Sequence, residues 1–259
     1  MRESFVPGAA VNMHKATPTF LCNITTLQLN IFMLYYVQKL RKELENRMKY
    51  IILDTETTND IECPLVYDLG FAVIDENGKV YASYSYVNAD IFCDEELMKS
   101  AYFANKIPQY WEDIKKGDRI LKSFRSIERI FRRVCADWNI NTFVAHNIRF
   151  DYTALQTTKR YITTSKRRFF FPYGAKFVDT LKLSRNAFGS DETYRQFCID
   201  NNYVTKSNGN RYTAEVIYRF LTNNNDFEEE HTGLADCMIE KEILRHCFVT
   251  LSEEDGYLW

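Results

Sequence analysis

The stretch YIILDTE, residues 50 to 56, constrains this chain most: a short β-rich apolar run that ends on two acids. A β-strand alternates its side chains between two faces, so Asp54 and Glu56 share one face and Thr55 takes the other. Two carboxylates on one edge of a sheet repel each other, and the arrangement is costly unless something positive sits between them. A hard divalent cation with oxygen ligands is the usual solution. This strand end is therefore either a place where a cation can be held or a plain transition from strand to turn.

The pattern after this strand continues in the same style. YDLGFAVID (67–75) and KVYASYSYV (79–87) read as two strands joined by an Asn-Gly turn. SIERIFRRVCADW carries Ile127, Ile130, Phe131, Val134 and Cys135 at the spacing of an amphipathic helix. TFVA (142–145) and AKFVD (175–179) predict a fourth and a fifth strand, and a helix is expected from Asp151 onward in DYTALQTTKRYI. ETYRQFCIDNN, YTAEVIYRFLTNN and LADCMIEKEILRHCF predict three more helices, the last with Ile239, Ile243 and Cys247 on one stripe. Strands first, then alternation with helices, predict an α/β layer architecture with a mixed sheet.

Residues 1–47 look unlike the remainder and are read as an N-terminal appendage to a domain over 48–259. The run FLCNITTLQLNIFMLYYV (20–37) is interrupted by Asn23, Thr25, Thr26, Gln28 and Asn30, which makes poor material for a membrane span, and MRESFVPGAAVNMHKATPTF supplies the order of a signal peptide badly. Two readings stay open for it: an extra helix with the polar tail QKLRKELENR, or sequence upstream of a natural beginning at Met48. Seven cysteines without C-x-x-C spacing argue against a zinc site or a disulfide framework and fit a reducing cytoplasm, or a host's if the source is viral. The formal charge of −2 requires any polyanion partner to be met by a local basic patch.

Two further acids fall where elements begin. Asp151 closes HNIRFD after the fourth strand, and Asp236 closes HTGLAD in the first turns of the final helix. Each fragment alone has an ordinary explanation: a turn for DTET, helix capping for HNIRFD, and a Thr232 cap beside a surface His231 for HTGLAD. Together they form a fourfold carboxylate cluster drawn from remote segments, which is either a metal site or a repulsive defect. His231 lies five residues before Asp236, roughly 140° around a helix. The two side chains can converge only if His231 precedes the helix and bends back.

With LDTETT, AHNIRFD and HTGLAD in this order, residues 48 to 248 resemble the DnaQ-like 3′-5′ exonucleases of the DEDD superfamily, and FVDTLKLSR (177–185) resembles the Asp-Thr-Leu segment of their proofreading branch. The resemblance implies an RNase H-like three-layer fold with a mixed central sheet flanked by helices. It implies that Asp54, Glu56, Asp151 and Asp236 hold two divalent ions, Mg²⁺ or Mn²⁺, and that His231 is the catalytic general base. Thr232 stands where the tyrosine branch has its tyrosine, so His231 matches the histidine branch. The implied substrate is the 3′ end of single-stranded or frayed DNA. RNA trimming by the same chemistry and a catalytically silent binding module are the alternatives.

Thr57 and Thr58 are expected at the terminal ribose, with Asn147 and Phe150 completing the substrate-binding set. KRYITTSKRRFFFPY (159–173) is read either as a phosphate contact or as an exposed loop, and Glu228, Glu229 and Glu230 either raise the pKa of His231 or form a solvated loop. His146 is expected to be structural. With no polymerase motif after residue 248, a proofreading partner would be a separate polymerase, and no membrane is expected.

Overall fold

A computed structural model describes residues 48–59 and 61–247. The expected appendage at 1–47 lies outside the described residues. The strands are β1 (Lys49–Thr58), β2 (Leu65–Asp75), β3 (Val80–Asn88), β4 (Ile120–Lys122), β5 (Thr142–Ala145) and β6 (Lys176–Asp179). The helices are α1 (Ala89–Phe92), α2 (Glu95–Met98), α3 (Ile107–Lys116), α4 (Phe124–Asp137), α5 (Ile148–Ile162), α6 (Thr180–Phe188), α7 (Glu192–Asp200), α8 (Ala214–Thr222) and α9 (Gly233–Cys247).

The six strands form one sheet in the order β4-β3-β2-β1-β5-β6. β1, β2 and β3 pair antiparallel, whereas β1 with β5, β5 with β6 and β3 with β4 pair parallel. β2 is buried at every position, as a strand covered on both faces must be. On one face Ile51, Leu53, Phe71 and Val73 pack with Phe131 and Val134 of α4 and Leu155 of α5. On the other, Ile52, Ala72 and Ile74 pack with Ile217 of α8 and Ile239, Ile243 and Leu244 of α9. The result is a three-layer α/β architecture with a mixed central sheet flanked by helices, as expected.

The two cores also fix the register of β1. Slipping the strand by one residue would move Asp54 onto the face of Ile51 and Leu53, trading hydrophobic burial worth about 1.5–3 kcal/mol per side chain for a desolvated acid. The carboxylates thus end up on the α9 side because the apolar residues before them cannot go elsewhere.

Some elements differ from the sequence expectation. β4 is an extra edge strand of three residues, two half-buried and one exposed, too short to show alternation. α3 and α6 are also additional; α6 occupies the FVDTLKLSR segment. α5 begins at Ile148, ahead of Asp151, because Asn147 takes a left-handed conformation at φ 66° and turns the chain directly from β5 into the helix. Among the described residues, no helix is long and apolar enough to cross a membrane.

Candidate active site

Three elements converge at the end of β1. Its register against β2 shifts between Glu56 and Thr57, so a bulge ends regular pairing just past the second acid. Asp54 and Glu56 face α9. Thr55 points to the opposite face, where its hydroxyl donates to Oδ1 of Asp151 at 2.8 Å. Asp151 sits in the first turn of α5, whose start is pinned from below: the Asn147 N–H donates to Oδ1 of Asp179 at 2.9 Å. The same oxygen accepts from the Leu181 N–H at 3.0 Å, capping α6. One aspartate thereby fixes the geometry of two helix starts, and through α5 the position of Asp151.

α9 brings the third set of ligands by direct backbone contact. A Cβ placed on Gly233 would lie 2.5 Å from the nitrogen of Gly70 and 2.9 Å from the carbonyl oxygen of Asp54. A Cβ on Gly70 would lie 2.0 Å from the carbonyl carbon of Gly233. Two glycines facing each other let the helix start rest on the sheet, where any side chain would hold it off. The helix start is capped from the sheet as well. Asp68 of β2 is fully buried and accepts from the Gly233 N–H at 3.0 Å, from the Tyr110 hydroxyl at 2.7 Å and from Arg119 at 3.0 Å. Thr232, the cap in the ordinary reading of HTGLAD, leaves its buried hydroxyl oxygen without a partner among the described residues.

His231 precedes α9 in a left-handed conformation, φ 48°. That bend answers the problem posed by the five-residue spacing, for it turns the ring back toward Asp236. The imidazole stacks on Phe103 at 4.2 Å between centroids with planes 13° apart, and its Nδ1 lies 3.7 Å from Oε2 of Glu229. Ligand atoms of Glu56, His231 and Asp236 fall within 4.8 Å of one another.

A cleft of about 510 Å³ opens over these groups, lined by Asp54, Glu56, Asp151, His231 and Asp236 and also by Asn147 and Phe150. Its wall includes Glu240, one turn after Asp236 on α9, and Glu229. Sequence reading missed Glu240, although it stands at i+4 from Asp236 and a helix-face argument would have found it. The expectation of a solvated acidic loop holds for the exposed Glu228 and Glu230 and fails for Glu229, which is half-buried in the cleft wall.

The substrate-binding residues divide. Asn147 is exposed and Phe150 half-buried at the cleft. Thr57 is half-buried past the bulge and is not among the lining residues. Thr58, expected at a sugar, is instead fully buried, with its hydroxyl engaged by the Leu97 carbonyl and by Ser100 Oγ at 2.7 Å. Alternation beyond the bulge sends Thr58 into the packing under α2. His146 is structural as expected: its ring nitrogens meet Thr180 Oγ1 at 3.0 Å and the Tyr212 carbonyl at 2.7 Å.

So many acids in one cleft perturb each other. Burial, then Asp151 and Glu240, push Asp54 well above the usual carboxylate range. Burial and Asp236 raise Glu56 to about 9, while Lys106 opposes the shift. Asp236 rises to about 8, by burial and then Glu229. Asp151 rises to about 7 by burial, held back by the Thr55 hydroxyl. Burial and Asp151 raise Glu240 as well. The histidine moves the other way: burial and Lys106 lower its pKa, outweighing the opposing pull of Glu215.

This donor set fits divalent cations. Asp236 Oδ1 and Glu240 Oε2 are buried without a hydrogen-bond partner, so each has a lone pair that desolvation has stripped of water and nothing in the protein has repaid. Oxygen ligands of this kind suit hard ions such as Mg²⁺ or Mn²⁺.

No protein-family model matches the chain, and no curated protein matches it. Among solved structures, the chain is similar to Exonuclease X in complex with 5′ overhanging duplex DNA, at 16% identity over 80% of this chain and 96% of that one, with a TM-score of 0.38. It is similar to the Mg²⁺- and Mn²⁺-bound form of S. pombe Pop2p, at 10% identity over 83% of this chain and 88% of that one, with a TM-score of 0.46. It is also similar to E. coli Exonuclease I in complex with a 5cy-dA13 oligonucleotide, at 12% identity and a TM-score of 0.46, covering 80% of this chain and 41% of that longer one.

Proposed function

We propose that the protein is a divalent-metal-dependent 3′-5′ exonuclease of the DEDD type, acting on the 3′ end of single-stranded or frayed DNA through residues of the domain that begins at Met48. The observation that carries this reading is the convergence of Asp54, Glu56, Asp151, Asp236 and Glu240 on one cleft with His231 at its rim. A phosphodiester is anionic and repels hydroxide, and a pair of divalent ions supplies the neutralisation and water activation that such hydrolysis requires.

The chain's own residues do the rest. Asp54, Glu56, Asp151 and Asp236 hold the ions, with Glu240 adjoining them. His231 takes the proton of the attacking water: its lowered pKa keeps the imidazole neutral, hence able to accept, at and below neutral pH. Phe103 holds the ring plane against one face. Phe150 offers an apolar surface to the terminal base, and Asn147 a polar group to the sugar or phosphate.

The test is digestion of 3′- and 5′-labelled DNA and RNA oligonucleotides with Mg²⁺, Mn²⁺ or chelator, beside Asp54→Ala and His231→Ala. Stepwise loss from the 3′ end, abolished by chelator and by both substitutions, is expected. Cleavage beginning at the 5′ end would overturn the reading, and binding without turnover in every metal would identify a silent binding module.

A further inference from the structure

The basic, aromatic segment 159–173 does not reach the acidic cleft. It borders a second, larger one of about 970 Å³ between α4 and the loop after α5, lined by five cations, Arg125, Arg129, Arg132, Lys159 and Arg167, and one acid, Glu128. Glu128 is already engaged. It accepts from Arg132 at 3.0 Å and from Lys159, while Lys159 also donates to the Phe169 carbonyl at 3.0 Å and Arg132 to that of Phe171 at 3.1 Å. These two cations clamp the loop onto the helices. Arg125 and Arg129, one turn apart on α4, and Arg167 in the loop are exposed and have no ion-pair partner among the described residues. Like charges so placed repel each other and favour an anionic ligand between them.

Two independent features sharpen the chemistry. Gln156, 4% exposed, lends its Oε1 to the Phe170 N–H at 2.9 Å and leaves Nε2 buried in the cleft wall without a partner. That is a desolvated donor awaiting an acceptor oxygen. At the rim, Phe169 is 62% exposed and Tyr173 fully exposed, large rings held in water beside the arginines. Cations for a phosphate backbone and aromatic faces for bases are the two components of a sequence-tolerant single-strand site. An acidic peptide would satisfy the arginines and leave the rings unused.

Helix α5 joins the two clefts. Asn147, Phe150 and Asp151 at its start line the acidic one, and Tyr152, Gln156 and Lys159 line the basic one. At about 1.5 Å of rise per residue, Asp151 and Gln156 are separated by only about 7.5 Å along the axis. We propose that the basic cleft binds single-stranded nucleic acid, gripping the nucleotides that precede a 3′ end lodged in the acidic cleft. The choice of ligand rests on the nuclease reading; the anion-and-ring chemistry does not.

The experiment measures binding of the full chain to fluorescein-labelled oligo-dT of about 4 and about 16 nucleotides, lengths spanning common single-strand site sizes, in EDTA across a salt series. Arg125→Gln/Arg129→Gln/Arg167→Gln should weaken binding of the long oligonucleotide at least about tenfold and flatten its log-log salt slope by about 2, since each lost phosphate contact removes about 0.7. Phe169→Ala/Tyr173→Ala should weaken it at least about fivefold with the slope unchanged. Both sets lie on the surface, so the fold is retained, and digestion of the short oligonucleotide should be unaffected. Wild-type affinity and slope in both variants, or competition by polyglutamate as effective as by oligonucleotide, would overturn the proposal. If 3′ ends are digested while the variants bind normally, only the second cleft is refuted. If the variants lose binding in a chain that digests nothing, the nuclease reading falls and the cleft stands.

Discussion

Gly233→Ala tests how closely the active-site geometry depends on backbone contact. The added methyl would meet backbone on both sides, 2.5 Å from Gly70 N and 2.9 Å from Asp54 O, and backbone cannot swing away as a side chain can. Restoring ordinary contact near 3.4 Å requires α9 to retreat by about 0.9 Å from the nearer atom. Overpacking of this kind costs about 1–3 kcal/mol, or about 2–12 °C in Tm for a domain of this size. The functional effect should be larger, because the retreat moves Asp236 relative to Asp54, and a 1 Å misplacement of reacting groups can cost about a hundredfold in rate. Thermal melts, Mn²⁺ titration calorimetry and digestion of 3′-labelled DNA should therefore report a modest loss of stability beside a large loss of metal affinity and turnover. A Gly233→Ala protein that melts and digests like the parent would refute the argument, and one that loses stability alone would reduce the glycine pair to packing.

Other expectations follow from the same cleft. His231→Ala should lower turnover about 10²–10⁴-fold while leaving Mn²⁺ affinity largely intact, and the acid limb of the parent's pH–rate profile should fall below pH 6.5 because the imidazole pKa is lowered; a limb above that value contradicts the assignment. Without metal, stability should decline as pH rises. Asp151 and Asp236 have native pKa values raised to about 7 and about 8, so their contribution is complete below the unfolded value near 4 and is lost as pH climbs through those numbers. Melts in EDTA between pH 5 and pH 8 should show falling Tm, reversed by Mg²⁺ or Mn²⁺, and a flat profile would mean the acids are not mutually destabilising. Asp68→Ala should cost about 3–5 kcal/mol in a denaturant titration, since it leaves Arg119 nearly buried with only Asp113 to offset it and uncaps α9.

What the sequence makes legible here is what local periodicity encodes. Alternation in YIILDTE determines which face receives Asp54 and Glu56, and the Asn-Gly turn and the apolar stripe of the last helix place β2, β3 and α9. Nearness in sequence to the acids misleads at Thr58, whose side chain turns into the packing against Leu97 and Ser100. β4 is too short to carry a period, and its pairing to β3 is decided by neighbours remote in sequence. Glu229 and Asp68 carry no local signal, since their roles depend on what packs against them. The shift of His231 reversed sign for a similar reason: chain neighbours suggested acids, while folding supplied Lys106 and desolvation.

The carboxylate that terminates α9 comes from β2, 165 residues earlier in the chain. A helix whose first turn lacks a local cap gains little by forming alone, and the acceptor this one uses lies on β2. The segment bearing Asp236 is therefore anchored beside Asp54 and Glu56 by a contact between remote parts of the chain. No single segment can gather the cleft's acids by itself; the sheet and both helix starts must all be in place before Asp54, Asp151 and Asp236 share one cavity.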